Sequence, residues 1–320
     1  MQAVTLGNYD ITGMVSKIEW SGSVEEVARK CDLTYINAPY DPVVAKLPVP
    51  KLGDYVTVTD SESGEIFYGR VYGTEKSSAY GTVTANCIDD AQRLLQSKVK
   101  YSFVGKTPEE IAELILADYE FPAGDLEKTG IALKTYVVNG KSIYDAINGA
   151  YAEAEKKTGK HYLFSMKGRE LSTKISGETV TAYVISEGSN ITESHYTEKS
   201  DSVVNKVVVY DTKGNRRGIV EDTGSQERYG TCQDIYQQTE NSADANTAAK
   251  NKIAEPEQSL SVTALGDISC VAGSGITLRD TATGQNGLFW IKNDKHTFEN
   301  GIHTMELELS FKKITGKSKA

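Results

Sequence analysis

The sequence predicts a mainly β protein with an α+β insert: two similar small β-barrel domains flanking a small α+β domain. Three observations predict it. Alternating apolar strands crowd both ends of the chain, two capped amphipathic helices occupy the middle, and the two strand-rich ends repeat one another. The bounds read as 1–98 for the first barrel, 99–190 for the insert and 191–320 for the second barrel.

In the first part, Val56 and Val58 of YVTVT (55–59) face one way while Tyr55, Thr57 and Thr59 face the other. DSESG (60–64) is a turn, IFYGRVY (66–72) returns, and TVTANC (82–87) follows after a second turn. Two helices are expected to interrupt these strands. One opens at Ser23, where Ser23 and Glu26 have capping-box spacing; the other opens at Asp89 or Asp90 and carries Leu94 and Leu95. Paired acids at a helix start complement the positive end of the macrodipole, so Asp89/Asp90, Glu25/Glu26 and Glu109/Glu110 read as that rather than as catalytic dyads.

The insert is built on TPEEIAELILADY (107–119) and SIYDAINGAYAEAEKKTG (142–159). Thr107 caps the first, Pro108 takes its first helical position and Glu110 closes the box. Ile111, Leu114 and Ile115 form its apolar stripe. Ile143, Ile147, Ala150, Tyr151 and Ala154 form that of the second helix, which Gly159 ends. Short strands fall near 133–138, 161–165 and 170–175.

Beyond residue 190, VVNKVVVY (203–210), the turn 211–215 and RGIV (217–220) read as a hairpin. The polar stretch 221–234 reads as a long loop, and 243–257 as a helix that stops before Pro256. In the last strand, MELELSF (305–311), Met305, Leu307, Leu309 and Phe311 face inward while Glu306, Glu308 and Ser310 face outward. Lys312, Lys313, Lys317 and Lys319 make a basic frayed terminus.

The two ends align at a spacing of 280 − 60 = 220 residues: Asp60 meets Asp280, Gly64 meets Gly284 and Gly81 meets Gly301. Val56 and Val58 match Ile276 and Leu278, and Phe67 matches Phe289 after a small insertion. A hairpin around Asp-x-x-x-Gly, an aromatic return strand and a third strand thus occur twice, which reads as duplication.

Composition narrows the function. The chain has 320 residues, enough for two or three domains, and 35 bases against 44 acids give a net charge of −9. Phosphate-backbone affinity rests on Lys and Arg, so no specific nucleic-acid binding is expected. No run approaches the ~18 apolar residues of a membrane span, so no stable membrane insertion is expected. With Lys17 the first basic residue and no apolar run before it, a secretory signal is not expected and the chain starts life in a cytoplasm.

The usual chemical constellations are missing. Cys31, Cys87, Cys232 and Cys270 form no CxxC and read as core residues. Gly105-Lys106-Thr107 lacks the earlier glycine that a phosphate loop needs, and Gly273-x-Gly275 precedes a strand. His161, His195, His296 and His303 are scattered; the last two flank a turn and read as solvated. No nucleophile elbow or zinc-protease helix occurs. The expectation is no enzyme: no catalytic residue, no cofactor, no metal.

Long strings carry a resemblance. They are SLSVTALGDISCVAGSGITLRD and GLFWIKNDKHTFENGIHTMELELSF (within 259–311), NITESHYTEKSDSVVNKVVVYDTKGNRRGIVED (190–222) and YGTCQDIYQQ (229–238). SIYDAINGAYAEAEKKTGKHYLF (142–164) and DDAQRLLQSKVKYSFVGKTPEEIAELIL (89–116) also fit. The chain resembles, from near MVSKIEWSGS (14–23) onward, the XkdQ-like tail hub proteins of contractile phage tails, defective prophages and phage-tail-like bacteriocins.

That family is similar to the long-tailed coliphage hub, to late control D proteins and to the N-terminal part of type VI secretion spikes. The resemblance implies a virion or tail-like particle baseplate assembled in a bacterial cytoplasm. It implies a homotrimer with a central channel, joining a sixfold tail tube to a threefold spike, with a LysM-containing baseplate protein as a further partner. Three chains with two similar barrels each offer six near-equivalent positions, which matches the duplication. Glu306 and Glu308, with the matching Thr82 and Thr84, would face solvent or an acidic lumen that repels DNA. Two other classes stand beside this one: a tail-associated peptidoglycan hydrolase, and a receptor- or glycan-binding tail module using Tyr residues, Trp20 and Trp290 as sugar platforms.

Overall fold

The computed structural model describes residues 2–46, 48–77, 81–239 and 245–314. Two compact units divide the chain: Met1–Ser194 with Ser261–Ala320, and His195–Leu260.

The larger unit opens with β1 (Gln2–Leu6), β2 (Tyr9–Asp10) and the hairpin β3 (Val15–Ser23) and β4 (Glu26–Ile36). Ser23 and Glu26 therefore flank a tight turn, where Ser23 Oγ accepts the Glu25 amide at 3.2 Å, and no helix starts there. Alternation overrides the capping spacing: Cys31, Leu33 and Tyr35 are all buried at period two, which only a strand can achieve. The meander β5 (Tyr55–Asp60), β6 (Gly64–Ser77) and β7 (Thr82–Asp89) follows, with Val56, Val58, Val83, Ala85 and Cys87 inward as expected.

Then come α1 (Ala91–Gln96), β8 (Lys98–Phe103), α2 (Pro108–Asp118), β9 (Tyr136–Ser142), α3 (Ile143–Thr158), β10 (Tyr162–Lys167) and β11 (Glu170–Ile175). The α2 capping box forms in both directions, Thr107 N to Glu110 Oε2 at 3.0 Å and Glu110 N to Thr107 Oγ1 at 3.4 Å. Its buried stripe is Ile111, Ala112, Ile115 and Leu116, while Leu114 is exposed, because α2 rests on α3 one position round from the expected face. In α3 the expected apolar residues are all buried, and Gly159 ends the helix in the left-handed region.

Next come β12 (Val180–Ser186) and β13 (Ile191–Lys199). The smaller unit contains β14 (Lys206–Tyr210), β15 (Arg216–Glu221), α4 (Thr223–Tyr229), β16 (Gln233–Gln237) and α5 (Ala245–Lys250). The expected hairpin is β14–β15. The expected loop 221–234 instead holds α4, started by Asp222, whose side chain accepts the Ser225 amide at 3.0 Å. The helix expected over 243–257 is short, and its first two residues lie outside the described ones. Buried Asn205 ties this unit together, donating to Gly230 O at 2.8 Å and accepting from Cys232 N at 2.8 Å. Cys232 itself is only half-buried, unlike the other three cysteines.

The chain ends with β17 (Glu257–Leu265), β18 (Gly275–Asp280), β19 (Gln285–Glu299) and β20 (Ile302–Ser310). Met305, Leu307 and Leu309 are buried as expected. Lys317 and Lys319 of the basic tail lie outside the described residues.

Thirteen described strands make one sheet in the order β13-β17-β20-β19-β3-β4-β7-β6-β5-β1-β2, with β18 beside β19 and β12 beside β18. The mainly β class with an α+β insert holds. The two separate barrels do not: the sheet is open. The reason lies at β3, which gives its outer edge to β19 of the other strand set rather than turning back on its own. Pairing there fuses both sets into a single surface.

Candidate assembly site

The duplication is written in hydrogen bonds. Gly53 N donates to Val71 O and Val71 N donates to Asp54 O, at 2.8 and 2.9 Å. Gly273 N donates to Ile291 O and Ile291 N donates to Ser274 O, again at 2.8 and 2.9 Å. The two glycines share φ +87° and +84°. Asp60 and Asp280 each cap the next turn: Asp60 Oδ1 accepts the amides of Glu62 and Ser63 at 2.9 and 3.0 Å, and Asp280 accepts from Ala282 N at 3.1 Å and from the Thr283 hydroxyl. Burial alone would push both carboxyls up, yet the donors around them hold both below the usual carboxylate range. Gly64 and Gly284 follow in the left-handed region at +78° and +73°.

The return strands match as well. β6 shifts register on β7 between Val71 and Gly73, and β19 shifts register on β20 between Ile291 and Asn293, both 220 apart. Bulges at equivalent places bend the two strands alike. Farther on, Asn37 N donates to Gly81 O at 2.7 Å, and Gly266 N donates to His303 O at 2.8 Å. The aromatic match is looser than expected. Phe67 stands opposite Val58, whereas Phe289 stands opposite Ile276, two rungs away, and Gly287 opposite Leu278 holds the place of Phe67.

At the junction, β3 runs antiparallel to β19 from Ser23 opposite Asn293 to Lys17 opposite Glu299. Glu19 holds Lys295 at 2.6 Å and Lys17 at 3.1 Å across it. Burial opposes the charge of Glu19, but the two lysines keep its carboxyl below the usual range and Glu19 raises Lys295. Beneath lies a buried cluster. Arg29 grips Asp294 with both guanidinium nitrogens, the Nη1–Oδ1 bond being 3.1 Å, and its plane lies 4.0 Å from the Trp20 ring centroid. Asp294 Oδ1 also accepts the Ala272 amide at 2.6 Å. His296 is fully buried, with Nε2 3.1 Å from Cys270 O and Nδ1 3.0 Å from His303 Nε2. Since a carbonyl only accepts, His296 Nε2 carries the proton and Nδ1 accepts from His303. Burial lowers the His296 pKa to about 4 and also lowers that of His303.

These positions revise several sequence expectations. His296 is a core residue, not a solvated one. Trp20 is buried under Arg29 and offers no sugar platform. Gly105-Lys106-Thr107 serves the α2 cap, with Lys106 near Glu110 at 3.6 Å. Asp89 accepts the amides of Arg29 and Ala91 at 2.9 and 3.0 Å, and burial raises its pKa to about 7. Thr82, Thr84 and Glu308 are half-buried and Glu306 is exposed. His161 lies near Glu155 at 3.1 Å, and His195 Nε2 lies 3.1 Å from the Thr197 hydroxyl. Among the described residues no group of three or more His, Cys, Asp or Glu is placed to hold a metal, and no helix is long and apolar enough to cross a membrane. The junction cluster escaped the sequence reading because Arg29 and Asp294 are 265 positions apart. Its one signal was a polar residue at two successive inward positions, Asp294 and His296, between Ile291 and Phe298.

β13 stands at the end of the strand order among the described residues, next to β17. β6 has β5 beside it over Gly64–Arg70, and among the described residues no strand lies on that side from Tyr72 to Lys76. An open edge presents unpaired N–H and C=O groups to any strand that fits.

Comparison with known proteins agrees with this architecture. The YqbQ-like family model matches residues 18–310. The protein YqbQ of Bacillus subtilis is 26% identical over 255 residues, covering 77% of each chain. The phage-like element PBSX protein XkdQ of the same organism is 24% identical over 282 residues, covering 82% of this chain and 85% of its own. Among solved structures, the 43 kDa tail protein of prophage MuSo2 from Shewanella oneidensis shares the fold at a TM-score of 0.73 and 16% identity, covering 97% of both chains. A match over nearly the whole length, through both hairpins and the junction between them, makes the chain a member of the YqbQ-like family.

Proposed function

We propose that this chain is a structural baseplate hub of a contractile tail, carried by a phage, a defective prophage or a phage-tail-like bacteriocin. Three copies would form a ring around a central channel and join a sixfold tail tube to a threefold spike. The single observation that carries this reading is the duplicated hairpin, with its paired Gly53/Gly273 bonds and Asp60/Asp280 caps, inside a chain that has a tail-protein fold. Two equivalent modules in each of three copies supply six docking positions. Residues 1–98 and 191–320 would provide those positions, and 99–190 would form the insert between them.

In this role the protein transmits force and keeps a channel, and it needs no catalytic residue, cofactor or metal. Its partners would be itself, the tube protein, the spike protein and a LysM-containing baseplate protein. It would assemble in the host cytoplasm into the tail. Analytical ultracentrifugation of the full chain, alone and mixed with its tube and spike proteins, tests the reading. A trimer or a complex containing three copies is expected. A strict monomer in every mixture overturns it.

A further inference from the structure

We propose that the outer face of the β8–β9 ribbon docks an acidic protein partner. This goes beyond the hub reading and is tested apart from it. The charge pattern points there first. The chain carries 44 acids against 35 bases, yet residues 98–106 and 131–142 hold Lys98, Lys100, Lys106, Lys134 and Lys141 and neither Asp nor Glu. The fold lays these two stretches side by side. β8 and β9 pair from Lys98 opposite Ser142 to Phe103 opposite Tyr136, and a bridge between Lys106 and Leu133 continues the ribbon.

One face of the ribbon is already covered. Val99 and Val138 are buried, and Tyr101, Phe103 and Tyr136 pack against the same core as α2 and α3. Tyr136 donates to Ala146 O at 2.7 Å and Tyr101 to Asp118 Oδ2 at 2.8 Å, which ties those rings to that side. The other face is exposed: Lys98, Lys100 and Ser102 on β8, with Asn139 opposite Lys100 and Val137 opposite Ser102. Lys141 is exposed beside them, where the register shifts past Gly140. Lys106 lies 3.6 Å from Glu110, whereas among the described residues Lys98, Lys100, Lys134 and Lys141 are in no ion pair. Neighbouring ammonium groups repel one another, and carboxylates brought from outside relieve that repulsion. Charge alone fits any polyanion, but two features favour a protein. Val137 is 63% exposed among the lysines and Val104 is 71% exposed just beyond β8, so the face offers apolar contact as well as charge. Neither strand carries an Arg, whose fork matches phosphate, and the rings that could stack on bases lie on the covered side.

Binding of fluorescently labelled polymers to the full chain tests this surface. A copolymer of glutamate and tyrosine serves as the acidic protein probe, and polyphosphate as the comparison. The copolymer is expected to bind and to stay bound at about 0.15 M salt, where screening weakens a purely Coulombic contact such as that of polyphosphate. Reversing Lys98→Glu, Lys100→Glu and Lys141→Glu together should weaken the copolymer about tenfold, whereas Lys51→Glu, Lys213→Glu and Lys250→Glu together, exposed lysines giving the same change in net charge, should shift it by no more than about twofold. Circular dichroism checks that both variants keep the wild-type fold; if the first does not, K98Q, K100Q and K141Q together carry the same expectation. No binding of the copolymer, or equal losses from the two sets of substitutions, overturns the proposal and leaves the lysines as a solvated face that guards the ribbon against aggregation. Polyphosphate held as tightly as the copolymer at the same salt overturns the protein partner in favour of a general polyanion.

Discussion

Gly53 and Gly273 hold one post in two places. Each lies at positive φ, +87° and +84°, and each donates its N–H to a carbonyl 18 residues ahead, on Val71 and Ile291. That pair of bonds fixes where each return strand meets its hairpin. The two sites differ in what surrounds them: a Cβ on Gly53 meets nothing, whereas one on Gly273 collides with Leu163 Cδ1.

Gly53→Ala should therefore cost only the backbone strain of a left-handed residue, about 1–2 kcal/mol. Gly273→Ala should cost that and the displacement of Leu163 as well, and so unfold at lower urea. Urea midpoints of the two variants check the order.

The Arg29–Asp294 pair is largely withdrawn from water, with side-chain exposures of 15% and 0%. Arg29→Met leaves the Asp294 carboxylate buried without its partner and should destabilise by about 3–5 kcal/mol. Adding Asp294→Leu should recover a large part of that loss. A double-mutant cycle by denaturant unfolding measures the coupling.

His296 predicts a pH dependence. Its folded pKa of about 4 lies below the ordinary 6.5, so between these values the unfolded chain binds the extra proton. The stability His296 gives is complete above pH 6.5 and is lost as pH falls through 4, by about 3 kcal/mol. Asp89, raised to about 7 by burial, acts with the opposite sign, its protonated form being favoured by folding, so stability falls as pH rises toward 7. Comparing wild type with His296→Gln at each pH cancels the Asp89 contribution. The advantage of wild type over H296Q should shrink steadily from pH 6.5 to pH 4.

Thiol labelling should single out one cysteine. Burial pushes the Cys31 thiol well up and those of Cys87 and Cys270 to about 12, so none forms the reactive thiolate at neutral pH. Cys232 is only half-buried. Native protein treated with a thiol reagent should gain one adduct at Cys232 by mass spectrometry, and four after denaturation.

Local chemistry was legible in the sequence. The α2 capping box, the Gly159 stop and the alternation of Val56/Val58 and of Met305/Leu307/Leu309 involve residues a few positions apart, so chain geometry alone ties them together. The same holds for the two hairpins, whose caps and glycines recur at a spacing of 220. Where local signals conflicted, packing decided: Ser23 and Glu26 had helix spacing, but the inward row of Cys31, Leu33 and Tyr35 made a strand. Burial also chose which face of α2 to cover. Only the tertiary structure decided that β3 would spend its edge on β19, drawing Arg29 against Asp294 and sealing His296 beneath. Strand pairing is set by backbone groups that every residue carries alike, so no side-chain pattern announces which edge meets which. That one pairing joined two would-be barrels into an open sheet.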